Sequence, residues 1–317
     1  MIEKYYNGVI EQVAGGIGNV EHNSILVRYS NDFSIWDLES VNHYKDQTDI
    51  FFTCHEFSYN KIAEAYEPYL GLIRQMFHKY CSGTLEEFME ECDVYKLQRP
   101  VFESYFEKGF CERTEQILID EVEYEQERMH SSIVTMLQKL SEICPIVIVL
   151  NRFQLASKST MQLTNRLLQT ENKNIGIVLG VNDVQSIPEF AHEEWDAICE
   201  SMDDRNMVYH IGNAGRNMEP DVMDYYSDYE SDDGYRKLNN LVYFLDFDQA
   251  DHHLSKIERR IKFDNFTISE KKHYQLLLLQ IMVSVLQRDI AKALESCEDL
   301  EKLQDQDRKS TRLNSSH

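Results

Sequence analysis

The run Ile146–Leu150, IVIVL, constrains this chain more than any other stretch. Its apolar residues stop abruptly at the polar pair Asn151 and Arg152, and after a short loop Met161, Leu163, Leu167 and Leu168 recur at helical spacing. An apolar run without alternation, followed by an amphipathic helix, predicts a parallel strand covered on both faces. In open sheets of that kind ligands sit just beyond the carboxyl ends of the strands. Positions 151 and 152 therefore decide what chemistry the sheet can support. An amide and a guanidinium suit neither general-base nor hard-cation work.

Other segments extend the pattern. Ser24–Tyr29 (SILVRY), Asp49–Cys54 (DIFFTC), Asn174–Val181 (NIGIVLGV, closed by Asn182 and Asp183) and Asn206–Ile211 (NMVYHI) read as four more strands. Between them lie helix-like stretches: residues 36–46, Lys61–Tyr80 broken at Pro68, short acidic helices in 84–110 with Pro100 as a boundary, Arg113–Leu140, and residues 193–202. The alternation predicts an α/β domain over residues 1–217, with a doubly wound parallel sheet.

Phosphate-binding signatures are incomplete. The glycines Gly15, Gly16 and Gly18 begin a dinucleotide fingerprint, but its third glycine falls on Glu21 and no strand precedes it. A P-loop requires a glycine-rich turn ending in Lys and Ser or Thr, so that backbone amides and an ammonium surround the phosphates. After the first strand the chain instead reads Tyr29-Ser30-Asn31-Asp32-Phe33-Ser34, with neither glycine nor lysine. Asp32 would bring a negative charge toward the phosphates. The acids on Arg113–Leu140 read as a solvated helix face.

Residues 218–235 are expected to form an acidic linker; EPDVMDYYSDYESDD, Glu219–Asp233, contains no Lys or Arg. Asp228, Glu230 and Asp232 have calcium-loop spacing, but Asp233 displaces the turn glycine and Asn239 stands where a bidentate Glu belongs. Residues 236–306 read as helix throughout, with a repeated element: Asp246-Phe-Asp-Gln-Ala250 matches Asp289-Ile-Ala-Lys-Ala293, and Leu254/Cys297 and Ile257/Leu300 continue the match. This is the pattern of a helical-hairpin repeat of tetratricopeptide type. His252 and His253 are adjacent, so they do not share a helix face and make a poor metal pair.

A net charge of −23 disfavours nucleic acid and anionic membrane surfaces as partners. Seven scattered cysteines, without CxxC or zinc spacing, and no signal-peptide pattern lead to the expectation of a reduced, cytoplasmic protein. No metal or cofactor is expected. The last eleven residues, Asp307–His317 (DRKSTRLNSSH), resemble a translated sequencing adapter, and the native frame is expected to continue beyond Gln306.

The stretch IVIVLNRFQLASKSTMQLTNRLL resembles the Walker B region of signal-transduction ATPases, the STAND class and its AAA-type relatives. Ala156, Ser159, Leu163, Leu167 and Leu168 fit the tail of that region, and GIVLGVND resembles the family's sensor strand. The resemblance spans roughly residues 20–306 and implies a P-loop NTPase fold in degenerate form. It places the family's metal-holding acid on Asn151, its water-polarising acid on Arg152, its phosphate loop on Ser30–Ser34 and its polar sensor on Asn182. A vestigial nucleotide pocket would thus comprise Ser30, Asn31, Asp32, Asn151, Arg152 and Asn182, with no catalytic residue. Phosphoryl transfer depends on positioned charge, so the implied function is a non-catalytic regulatory module with a pseudo-ATPase core. Its helical repeats would bind a protein partner or control an output domain. In the resembled bacterial proteins that output is often a diguanylate cyclase or a helix-turn-helix domain. The competing expectation is a working ATPase that uses ATP and Mg with non-standard residues.

Overall fold

The computed structural model describes residues 2–18, 23–30, 34–58, 61–111, 122–170, 172–182, 187, 189–204, 207–211, 229, 231–263 and 266–314. Helix α1 (Ile2–Gly15) precedes β1 (Ser24–Tyr29); a 3-10 turn (Ile35–Asp37) and α2 (Glu39–Lys45) lead to β2 (Phe51–Glu56). Helices α3 (Tyr69–Tyr80), α4 (Leu85–Glu91), α5 (Arg99–Lys108) and α6 (Val122–Ile143) separate β2 from β3 (Ile146–Asn151). A 3-10 turn (Phe153–Leu155), α7 (Lys158–Gln169), β4 (Ile175–Asn182), α8 (His192–Asp204) and β5 (Val208–Ile211) follow. The helical segment contains α9 (Asp232–Tyr243), α10 (Phe247–Phe263), α11 (Glu270–Leu286) and α12 (Ile290–Asn314).

The five strands are all parallel, in the order β2-β3-β4-β1-β5. Strands β3 and β4 are buried at every position, as an apolar run covered on both faces requires. The β1-to-β2 crossover runs in one direction across the sheet and the later crossovers run back. With right-handed crossovers, α2 and the returning helices then fall on opposite faces. Accordingly α1 and α2 pack together on the sheet, while α3, α6, α7 and α8 form a second contiguous layer. The fold is therefore α/β with a parallel sheet, as the alternation predicts.

Helix α1 comes unusually close to β4 because the strand has glycines four residues apart on one face. A Cβ on Gly176 would lie 2.6 Å from Val13 Cγ1, and one on Gly180 would lie 2.2 Å from Tyr6 Oη. Tyr6, Ile10 and Val13 are fully buried in that groove.

Several boundaries differ from the sequence reading. Strand β2 starts two residues later than Asp49–Cys54 and ends at Glu56. Residues 61–68 are not helix but a bend and irregular chain leading into a turn at 65–68, with Ala63, Ala65 and Tyr66 packed into the core. Pro68 sits just before the first residue of α3, where its missing N–H costs nothing. Strand β5 begins at Val208 and Met207 lies outside it; Asn206 is outside the described residues. Helix α6 is described from Val122, so Arg113–Glu121 lie outside the described residues.

The repeated element in the helical segment forms the same corner twice. After α9, Leu245 is left-handed (φ 67°); its N–H donates to Val242 O, and Asp246 N–H donates to Leu241 O. After α11, Arg288 is left-handed (φ 63°), with N–H bonds from Arg288 to Val285 O and from Asp289 to Ser284 O. Each is a Schellman turn, and each is followed by an Asp whose Oδ1 accepts the N–H three residues on, Gln249 or Lys292. The first corner is built into the α/β core. Phe244 packs edge-on to Tyr66 and beside Phe102 and Tyr105, and Gln126 donates to Leu245 O at 2.7 Å. The end of the acidic stretch is structured too: Asp232–Tyr235 belong to α9, and buried Tyr229 bonds His253 Nδ1 at 3.0 Å. Residues 219–228 and 230 lie outside the described residues.

Candidate functional site at the carboxyl ends of the strands

Strands β1 and β4 are neighbours whose connections leave in opposite directions, so the crevice of this sheet opens between their tips. Pairing brings Tyr29 level with Asn182 and Glu56 level with Asn151. Asn151, Arg152 and Asn182, singled out from sequence, are thus brought to one edge of the sheet, and Ser30 directly follows Tyr29 there. Asn31 and Asp32 lie outside the described residues.

Protein groups tie these tips together. Asn151 is fully buried, and its Oδ1 accepts from Tyr29 Oη at 2.7 Å. The same Oδ1 lies 2.6 Å from where a Cβ on Gly180 would stand, so only glycine leaves room for this arrangement. Buried Gln154 accepts the Asn182 N–H at 3.2 Å, which ties the β4 tip to the turn after β3. Arg152 is left-handed (φ 54°), and this conformation carries its guanidinium back across the sheet to Glu56 at 2.9 Å. Glu56 also accepts from Ser34 Oγ at 3.2 Å and from Ile35 N at 3.0 Å. One carboxylate therefore joins the loop after β1 to the tips of β2 and β3. Phe57 and Phe153 form an edge-to-face pair beneath it, and Trp195 lies beside Phe153.

A second cluster flanks this edge. Glu67 Oε1 lies 3.5 Å from His55 Nε2, and Glu64 accepts from Asn240 Nδ2 of α9 at 3.1 Å. Burial, reinforced by the nearby Glu67 charge, pushes Glu64 up to about 7. Burial raises Glu67 as well and pushes His55 down to about 4. At neutral pH the His55–Glu67 contact therefore involves a neutral imidazole.

Sequence reasoning missed Tyr6, Tyr29, Glu56, Gln154, Glu64 and Glu67 as site residues. Glu56 was the most accessible of these: a carboxylate closing an apolar run resembles the ending of the central strand, but placing β2 at 49–54 left it in a loop. Among the described residues, no group of three or more His, Cys, Asp or Glu side chains is placed to hold a metal ion. No helix among them is long and apolar enough to cross a membrane. His253 is fully buried between Tyr229 and Gln249, and His252 packs at a tilt against Phe190.

The arrangement can hold the loop after β1 in place and keep Asn151 and Arg152 engaged with protein groups. It supplies no carboxylate at 151 or 152 for a cation, and an amide is a weak substitute. Compared with known proteins, the chain matches no family model and no curated protein.

Proposed function

We propose that this chain is a non-catalytic regulatory module: a degenerate P-loop-type core whose nucleotide-handling edge has become a structural clasp, carrying helical hairpins of tetratricopeptide type. The observation that carries the reading is the Arg152–Glu56 pair, which joins the loop where phosphates would be cradled to the strand tip where magnesium would be held. In a working enzyme of the resembled class those positions stabilise charge on the transferring phosphoryl group. Here a guanidinium and a carboxylate neutralise each other. The helical hairpins would serve a protein partner or an output domain, such as a cyclase or DNA-binding domain of a bacterial signalling protein. The first corner's contacts with Tyr66, Phe102 and Tyr105 give the core a direct path to those helices.

A second reading is supported by Glu56 itself. A carboxylate level with Asn151 could polarise water if Arg152 swung away to a phosphate, as in an ATPase with non-standard residues using ATP and Mg. Phosphate release from Mg-ATP by the wild-type chain and by Glu56→Gln separates the two. The regulatory reading expects no turnover above background in either. Turnover abolished by Glu56→Gln would establish the second.

A further inference from the structure

Away from the sheet tips, a cleft of about 560 Å³ opens between α9, the start of α11 and residues 110–111. Its volume falls within the range of small-molecule sites. Phe110, Tyr235 and Tyr243 give it aromatic walls, while Arg236, Lys271, Lys272 and Asp232 line its polar side. The Arg236 guanidinium lies 5.2 Å from the centre of the Phe110 ring, within cation–π range.

The cleft is net positive although the chain has 55 acidic and 32 basic residues: Arg236, Lys271 and Lys272 line it against one carboxylate, Asp232, which lies 3.4 Å from Lys272. Arg236 and Lys271 have no carboxylate within ion-pair distance among the described residues, yet they stand beside one cavity. The seventeen-residue helix α11 also starts at this cleft, with the positive end of its dipole there and Ser269 as its N-cap. Two unmatched cations reinforce that end, and aromatic surface lies within the same cavity.

We propose that this cleft binds a small aromatic phosphate ester, with Arg236 and Lys271 on the phosphate and Phe110 and Tyr235 against the ring. Arg236 is suited to bidentate contact with phosphate oxygens, while Lys271 contributes a point charge. Burial raises the Tyr235 hydroxyl above its ordinary range, so it remains a neutral donor at the mouth.

The test is calorimetric titration of the full chain with phenyl phosphate, with phenol and inorganic phosphate as separate arms and no magnesium present. Saturable phenyl phosphate binding with a Kd below about 1 mM is expected, weaker for either half of the probe alone. Arg236→Gln should weaken it roughly tenfold, as should raising the salt concentration substantially. Lys271 is exposed, so Lys271→Gln keeps the test decisive if Arg236→Gln fails to fold; a severalfold loss is expected there. No saturation, or unchanged affinity in folded Lys271→Gln, overturns the proposal. Equal affinity for inorganic phosphate and phenyl phosphate overturns the assignment of an aromatic ligand.

Discussion

Replacing Arg152 by Gln probes the clasp directly, because it removes the charge while keeping most of the side-chain length. In the folded chain the pair is 2.9 Å apart, with side-chain exposures of 16% for Arg152 and 11% for Glu56. Glu56 would be left with only Ser34 Oγ and Ile35 N to offset its desolvation. Breaking one side of a buried pair costs about 3–5 kcal/mol; residual water access and two remaining donors lower the expectation to about 2–3 kcal/mol. In a chain of 317 residues that corresponds to a fall in Tm of roughly 3–4.5 °C. Glu56→Gln alone should cost less, about 1–2 kcal/mol, since a neutral amide can still accept from Ser34 and Ile35. Urea unfolding of both single variants and the double variant gives the coupling energy, expected at about 1–2 kcal/mol with unchanged m-values. Additive single effects would refute the claim that the two side chains act as one clasp.

Glu64→Gln should change how stability varies with pH. Glu64 is held near 7 in the folded chain and lies near the ordinary carboxylate value when unfolded, so the folded state binds the extra proton between about 4.5 and 7. Stability contributed by this group therefore falls as pH rises through that window, and the glutamine variant should be more stable above pH 7 by up to about 2 kcal/mol, with no difference below about pH 4.5. His55 works in the opposite sense, adding stability as pH rises from about 4 to 6.5, and that slope should persist in the variant. Urea midpoints across pH check both; a Glu64→Gln gain independent of pH would contradict the assignment. Gly180→Ala should cost about 2–3 kcal/mol, because its Cβ would meet Tyr6 Oη and Asn151 Oδ1 at 2.2 and 2.6 Å. Thermal melting should show partial rescue by Tyr6→Phe, and the absence of rescue would show that the clash lies elsewhere. Asp246→Ala should cost about 1 kcal/mol more than Asp289→Ala in chemical denaturation. The two corners are alike, but only Asp246 is buried and also accepts the Ser159 N–H of α7 at 2.9 Å. Equal losses would mean that the bond to Ser159 contributes nothing.

The sheet was legible because burial on both faces leaves a signature in the sequence. Ile146–Leu150 and Asn174–Val181 have no polar alternation, and both became central strands with shifts of one residue at most. The duplicated corner was legible for a different reason: an N-capping Asp and a close-packed Ala recur in the same local context, and such corners are set by local hydrogen bonds. Strand order and register were not legible, since they arise from pairings between residues 29 to more than 150 positions apart in the sequence. That is why Asn151 could be picked out but Tyr29, Gly180 and Tyr6, which surround it, could not. Glu56 was missed through a two-residue error at a strand end, where half-buried side chains blur the pattern. Glu64 and Glu67 lie in the stretch Lys61–Tyr80 that reads as helix-like, whereas the non-helical chain at 61–68 brings them to α9 and His55.

The most direct test of the clasp as a replacement for nucleotide chemistry is calorimetric titration of the intact chain with ATP, with and without magnesium, alongside Arg152→Ala. A heat signal that does not depend on magnesium and is the same in both proteins, including none at all, is the predicted result. Saturable binding that requires magnesium and disappears in Arg152→Ala would show that Arg152 grips a phosphate instead of Glu56, and the account would be wrong at its centre.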